Sequence, residues 1–342
     1  MYCPYPWRSV LVGCLIALSG LPIGYAASIA SPEPATGWQE KLVVRAERFM
    51  AVTAHPLATR TAVDVLANGG TAVDAAVAAQ MVLNLVEPQS SGIGGGAFML
   101  YWDAVARRLY ALDGRETAPV AADADYFRDV NGIALKWRKA RVGGRAVGVP
   151  GTLHLLHTAH DLFGVKSWAN LLEPTITLAT GGFPVSPRLA QSIAGAADRG
   201  LRQFSAARQY FFDAHGKPLK AGFILRNPAL ANALRKIAQE GIEPFYQGPI
   251  ASRLVKALEN TSELPALMTR KDLSEYRTIF RPPICAPYRG YSVCGIGPPS
   301  SGALTVGQIL GLVERFDLSN MGPNPHSIHL ILEASRLAFA DR

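Results

Sequence analysis

Residues 72–86, Ala-Val-Asp-Ala-Ala-Val-Ala-Ala-Gln-Met-Val-Leu-Asn-Leu-Val, are apolar on nearly every side of a helix. A helix without a polar face has to be enclosed by other elements, so this segment is expected in the middle of the protein. Its ends are written locally. Thr71 stands as N-cap with Asp74 three residues on, the pattern of a capping box. Glu87-Pro88 ends it, because the residue before a proline avoids the helical region. Just upstream, residues 57–67 read as a partner helix stopped by Asn68-Gly69-Gly70. A chain of 342 residues with 49% hydrophobic side chains has the material to bury both helices in a substantial core, which excludes a disordered chain.

Beyond that core, the composition excludes several classes. The 32 Gly and 24 Pro show no G-X-Y period, so the chain is not collagen-like. Four cysteines in 342 residues are too few for a disulfide scaffold. The net charge of +8 comes from scattered Lys and Arg. The densest group, Lys136, Arg138, Lys139, Arg141 and Arg145, has only Trp137 interleaved and reads as a solvated face, so no nucleic-acid partner is expected.

The first 26 residues carry one basic residue, Arg8, and no acid. An apolar run from Val10 to Tyr25 ends on Gly24-Tyr25-Ala26, a small-x-small cleavage pattern. Residues 1–26 therefore read as a secretory signal peptide, and 27–44 as a polar, Pro-bearing lead-in. Leu11-Val12-Gly13-Cys14 resembles a lipoprotein box, but Cys14 opens the apolar run instead of closing it, so no stable membrane anchor is expected. Export makes a disulfide feasible between Cys285 and Cys294, which flank a segment punctuated by Pro287 and Gly290; the alternative is two free buried thiols.

Downstream of the apolar helix, Phe98–Trp102 and Arg108–Leu112 read as a hairpin, and helical periodicity follows at about 151–163, 167–180, 186–198, 228–239 and 250–259. Strand character returns over 278–296, and helices at about 302–316 and 325–340 follow, the first capped by Ser300 or Ser301. The mix predicts an α+β protein with helices packed on antiparallel sheets.

Several motifs invite a chemical reading. Gly92-Ile-Gly94-Gly-Gly-Ala97 matches a dinucleotide fingerprint, but a helix precedes it and a strand follows, the reverse of what pyrophosphate binding requires. It reads either as a tight turn or as a loop whose backbone N–H groups serve an anion or oxyanion. His154, His157 and His160 fall three residues apart on one helix and lack a nearby ligating carboxylate pattern, so no metal is expected there. No G-x-S-x-G elbow is present. Arg115 follows a strand between two acids, in Leu112-Asp-Gly-Arg-Glu-Thr-Ala-Pro119. It suits either a two-pronged grip on a ligand carboxylate or an ion pair with Asp113 or Glu116.

Val86-Glu-Pro-Gln-Ser-Ser-Gly-Ile-Gly-Gly-Gly-Ala-Phe98 and the Leu112–Pro119 segment together resemble the γ-glutamyltranspeptidase (γ-glutamyltransferase) family. So do Ala54-His-Pro-Leu-Ala58, Gly69–Ala76, Val147-Gly-Val-Pro-Gly151, Pro298-Pro-Ser-Ser-Gly302 and Glu333–Arg342, which occur in the family's order. The resemblance implies a four-layer αββα N-terminal-nucleophile hydrolase fold, incomplete in this chain, with residues 45–342 as the large-subunit portion of the precursor. It implies transfer or hydrolysis of the γ-glutamyl group of glutathione and other γ-glutamyl amides, with water, amino acids or peptides as acceptors and no cofactor or metal. The family nucleophile is the N-terminal Thr of a small subunit cut from the same precursor. No residue within 1–342 is therefore expected to be catalytic, and the chain alone is expected to be inactive and poorly soluble. Arg115 matches the family arginine that holds the substrate α-carboxylate. The expected location is periplasmic or secreted. Two alternatives are a related acylase that removes glutaryl side chains from β-lactams, and a non-catalytic binding protein derived from the large subunit.

Overall fold

The computed structural model describes residues 43–261 and 264–342; the segment read as a signal peptide over 1–26 and most of the polar lead-in over 27–44 lie outside the described residues. The apolar segment forms helix α2 (Ala72–Val86), and its partner is α1 (Pro56–Ala67). Val77, Ala78, Met81, Val82 and Val86 are wholly buried, as the lack of a polar face requires. The capping box is present: Thr71 N–H donates to Asp74 Oδ2 at 2.8 Å, and Asp74 N–H donates to Thr71 Oγ1 at 3.1 Å. Asp74 is itself fully buried and also accepts from the Val165 N–H at 3.1 Å, so one carboxylate ties the start of α2 to the loop beyond Gly164.

The hairpin follows as β1 (Ala97–Asp103) and β2 (Arg108–Gly114), paired antiparallel with Ala97 opposite Gly114. A third strand, Ile279–Arg281, pairs antiparallel with β2, placing Ile279 opposite Asp113. Thus β2 is the central strand. One sheet face packs on the helix Thr152–Phe163, where Phe163 meets Tyr101 and Tyr110 at centroid distances of 4.5 and 5.0 Å. On the other face Leu100, Trp102 and Ile279 are exposed. Four further long helices, Trp168–Gly181, Pro187–Ala197, Pro228–Glu240 and Pro249–Glu259, surround the core, and they and the later helix Pro325–Asp341 lie within a residue or two of their predicted bounds. The helix-on-antiparallel-sheet arrangement is of the α+β class. Cys285 and Cys294 lie opposite each other in the hairpin Ile284–Tyr288/Tyr291–Gly295, with their sulfurs bonded at 2.07 Å.

Three expectations need correction. The helix predicted over 302–316 spans Leu304–Val313, with Ala303 at its cap position; Ser300 Oγ instead accepts from the Gly302 N–H at 3.0 Å, inside the preceding turn. Short helices at Trp137–Ala140, Ser205–Phe211, Glu243–Tyr246, Arg270–Glu275 and Leu318–Met321 were not predicted, because one or two turns carry too little periodicity to read. Arg145 leaves the solvated basic face: it is half-buried, donating to the Tyr126 carbonyl at 2.8 Å with its guanidinium 5.6 Å from the Tyr126 ring.

Replacing Asp74 with alanine removes the cap and strands the Val165 N–H. In the complete gene product, Asp74→Ala should lower unfolding stability by about 2–3 kcal/mol, read as a shift in urea midpoint. A change below about 0.5 kcal/mol would contradict this role for the carboxylate.

Candidate functional site

Strand pairing gathers the motif residues at one end of the sheet. Because Ala97 opposes Gly114, the glycine loop entering β1 lies beside Arg115 and Glu116 leaving β2. Because Ile279 opposes Asp113, the residues before that strand, Tyr276–Thr278, extend past the same end. A bridge between Thr117 and Val149 adds the segment that opens the helix Thr152–Phe163. Four stretches distant in sequence therefore converge on the mouth of β2.

The glycine loop is a tight turn: the Gly95 N–H donates to the Gly92 carbonyl at 3.0 Å. The Gly95 carbonyl in turn accepts from Gly151 and Thr152 N–H, at 2.8 and 3.0 Å. These are donors from the N-terminus of the helix, groups that a bound anion would otherwise use. A methyl group on Gly96 would stand 2.7 Å from the Glu116 amide nitrogen, so glycine there is what lets Glu116 close onto the loop. Gly114 is equally constrained, since a Cβ would meet the Leu155 Cβ at 2.5 Å.

Arg115 is reached just where the chain emerges from this packing. Its side chain is 54% exposed, and Nη1 donates to Glu116 Oε2 at 2.7 Å. Its backbone N–H donates to Asp113 Oδ1 at 2.9 Å, and its carbonyl accepts from the Tyr276 hydroxyl at 2.8 Å. The buried Asp113 is paired through Oδ2 with Arg281 Nε at 2.6 Å. Of the two readings of Arg115, the ion pair with Glu116 is present, but it uses one of the five guanidinium donors and leaves the fork able to meet a carboxylate.

On the α2 side, Glu87 is almost fully buried and pairs with Arg188 Nη1 at 2.6 Å, while Arg188 Nη2 donates to Ser90 Oγ at 3.3 Å. Ser91 Oγ donates to Asn84 Oδ1 at 2.6 Å. These contacts pin the loop between Glu87 and Ala97, next to a cavity of about 190 Å³ lined by Gln80, Glu87, Ser90, Ser91, Gly96 and Thr152. His55 caps α1, its Nδ1 accepting the Leu57 N–H at 3.2 Å. Burial lowers its pKa below 6.5, against the pull of the Glu87 carboxylate.

In the histidine series, His154 Nδ1 meets Thr278 Oγ1 at 3.0 Å, His157 pairs with Asp161 at 3.0 Å, and His160 Nε2 meets the Lys166 carbonyl at 2.7 Å while its Nδ1 lies 3.8 Å from Asp161. Among the described residues no three His, Cys, Asp or Glu side chains form a group able to hold a metal ion. The bonded Cys285 and Cys294 lie in a separate hairpin. Sequence reasoning missed Tyr276, Arg281 and Arg188, whose partners lie about a hundred residues or more away in the chain. No local spacing announces such contacts.

Comparison with known proteins places this geometry in context. Residues 58–342 match the family model for gamma-glutamyltranspeptidase. The glutathione hydrolase proenzyme of Bacillus subtilis (strain 168) is 39% identical over 294 residues, covering 86% of this chain and 49% of that protein. The acylase ACY 1 proenzyme of Pseudomonas sp. (strain V22) is 35% identical over 322 residues, covering 92% of this chain and 57% of that protein. The crystal structure of Helicobacter pylori gamma-glutamyltranspeptidase superposes with a TM-score of 0.83 at 34% identity, covering 88% of this chain and 85% of that one. The chain spans about half the length of the curated relatives it matches.

The His55 cap carries a pH signature. A group whose folded pKa is lowered contributes stability that is present above its unfolded value of 6.5 and is lost as the pH falls below it. His55→Asn keeps a capping acceptor but does not titrate. Between pH 7 and about pH 5 its stability should fall less steeply than that of the parent protein, in chemical denaturation at each pH. Equal slopes would contradict the assignment.

Proposed function

The chain belongs to the gamma-glutamyltranspeptidase family, and we propose that it carries the part of a γ-glutamyl-processing site that recognises the α-amino-acid end of the substrate. The observation that carries this reading is the Arg115–Glu116 pair: an exposed guanidinium and an adjacent carboxylate, set at the edge of the glycine loop by a backbone that is bonded on both sides. A γ-glutamyl group ends in an α-carboxylate and an α-ammonium a few ångströms apart. Arg115 offers a planar fork to the first, and Glu116 offers an acceptor to the second. With that end held, the γ-carbonyl is presented to the nucleophile in a fixed orientation, and most of the entropic cost of the encounter is met by binding.

The reaction follows from the family pattern. A nucleophilic hydroxyl attacks the γ-amide carbon, the amine departs, and water or an amino acid or peptide acceptor takes the γ-glutamyl group from the resulting ester. The nucleophile is assigned to a small subunit from the same precursor. Two observations support that partner. Relatives of this chain are named proenzymes, and this chain covers 49% of one such proenzyme but 85% of the chain in a solved family structure. The exposed Leu100, Trp102 and Ile279 on the open face of the sheet also suit the second sheet of a four-layer sandwich. The signal-peptide character of residues 1–26 supports action in the periplasm or outside the cell. Glutathione is the substrate that relatives' names suggest for this chain.

Acylase relatives make a glutaryl substrate the second reading. Glu116 argues against it, since a glutaryl group has no ammonium to meet that carboxylate.

The two readings separate on the complete gene product. A γ-glutamyl amide should turn over faster than the matching glutaryl amide. Arg115→Ala should lower kcat/KM for the γ-glutamyl amide by about 10²-fold while sparing an ester that lacks the α-carboxylate. Equal losses on both substrates would remove Arg115 from carboxylate recognition, and preference for the glutaryl amide would favour the acylase.

A further inference from the structure

Among the described residues, the Arg115 side chain hydrogen-bonds only to Glu116, itself the next residue in the chain. Its guanidinium therefore goes where its backbone puts it, and the backbone is held from two sides. The Asp113 carboxylate accepts from the Arg115 N–H at 2.9 Å, and the Tyr276 hydroxyl donates a hydrogen bond to the Arg115 carbonyl at 2.8 Å. Asp113 is the nearer residue in sequence and belongs to the end of β2. Tyr276 comes from another part of the chain, between the helix Arg270–Glu275 and the strand Ile279–Arg281.

Tyr276 is built into its position. It is 5% exposed, and its ring lies 6.0 Å from that of Tyr246 and 5.7 Å from that of His154. Its hydroxyl sits directly against Gly151, where any Cβ would overlap both that oxygen and the Gly114 carbonyl. The hydroxyl is thus lodged in a slot that exists only because residue 151 is glycine. Burial, reinforced by the Asp113 and Glu116 carboxylates, pushes its pKa far above the ordinary value of 10.0. The phenol stays a proton donor across the working pH range, so the bond to the Arg115 carbonyl does not switch with pH.

Tyr246 makes the comparison informative. It is equally buried and stacked in the same cluster, but its hydroxyl donates to the Pro150 carbonyl at 3.0 Å and accepts from the His154 N–H at 3.1 Å. Both hydroxyl bonds brace the start of a helix, and neither partner lies in the Arg115 segment. Two tyrosines in one stack therefore have different duties, one to the scaffold and one to the residue that meets substrate.

We infer that Tyr276 is a positioning residue for substrate recognition: its hydroxyl, opposite the Asp113 carboxylate, fixes the Arg115 backbone so that the guanidinium meets the substrate α-carboxylate. This inference rests on the reading of Arg115 as the carboxylate-holding residue.

The test uses the complete gene product and two acyl donors, a γ-glutamyl amide and an ester that lacks the α-carboxylate. Tyr276→Phe keeps the ring and the stack and removes one hydrogen bond. It should raise KM for the γ-glutamyl amide about tenfold, leave kcat within about twofold, and leave the ester's kinetics unchanged. Tyr246→Phe, run beside it, should lower the melting temperature without discriminating between the donors. Asp113→Asn keeps an acceptor for the Arg115 N–H and loses the charge facing Arg281; it should show the same selective rise in KM, to a smaller degree. Parallel losses on both donors in Tyr276→Phe, or no change on either, would overturn the positioning role. If Arg115→Ala itself fails to discriminate between the donors, the carboxylate role of Arg115 falls, and that of Tyr276 with it. If Arg115→Ala discriminates and Tyr276→Phe does not, the positioning role alone is lost.

Discussion

The Gly95 carbonyl, met by the N–H groups of Gly151 and Thr152, is the contact on which the candidate site depends. The first turn of a helix has donors with no partner inside the helix, and something must accept from them. Here a loop carbonyl does so. The start of the helix Thr152–Phe163 is thereby fastened to the loop that enters β1, and that helix packs under the sheet through Leu155 and Phe163. With helix, loop and sheet locked together, Glu116 closes over Gly96 and Arg115 is left facing outward. The first N–H groups at that helix end are thus occupied by the Gly95 carbonyl.

Buried carboxylates are met in two ways: Asp74 and Asp272 by backbone N–H groups and threonine hydroxyls, Glu87 and Asp113 by arginines. Glu87 has Arg188, and Asp113 has Arg281. Each pair joins a motif residue to a distant element, and each carboxylate is the buried partner. Leaving either carboxylate without its arginine would strand a desolvated charge, a far larger penalty than the pair's own contribution. Their role is therefore to set the register between segments. Around them the core is largely apolar, and the exposed Arg115 guanidinium stands at the mouth of β2, where substrate recognition is proposed.

Much of the fold was readable because its signals are local. The capping box at Thr71 and Asp74, the Asn68-Gly69-Gly70 stop of α1, and the apolar period of α2 each act within a few residues, and the structure obeys them. The helix-then-strand order around Gly92–Ala97 was equally visible, and the structure has it, with α2 before the loop and β1 after it. Arg115 could be singled out from its neighbours and from the family resemblance. What it rests on could not. Tyr276 reaches its carbonyl, and Arg281 reaches Asp113 beneath it, through the pairing of Asp113 with Ile279, a choice of strand partner that neither segment encodes alone. Arg145 was misplaced for a related reason: its draw toward Tyr126 depends on a loop folding back, not on the run of basic residues in which it stands.

The central claim is that the Arg115 guanidinium, held by its own backbone at the edge of the glycine loop, receives the α-carboxylate of a γ-glutamyl ligand. The most direct measurement is a crystal structure of the complete gene product with glutamate bound. The account predicts the α-carboxylate within about 3 Å of the Arg115 guanidinium nitrogens, with the α-ammonium turned toward Glu116. Glutamate bound with its α-carboxylate on other residues, and Arg115 still paired only with Glu116, would contradict it.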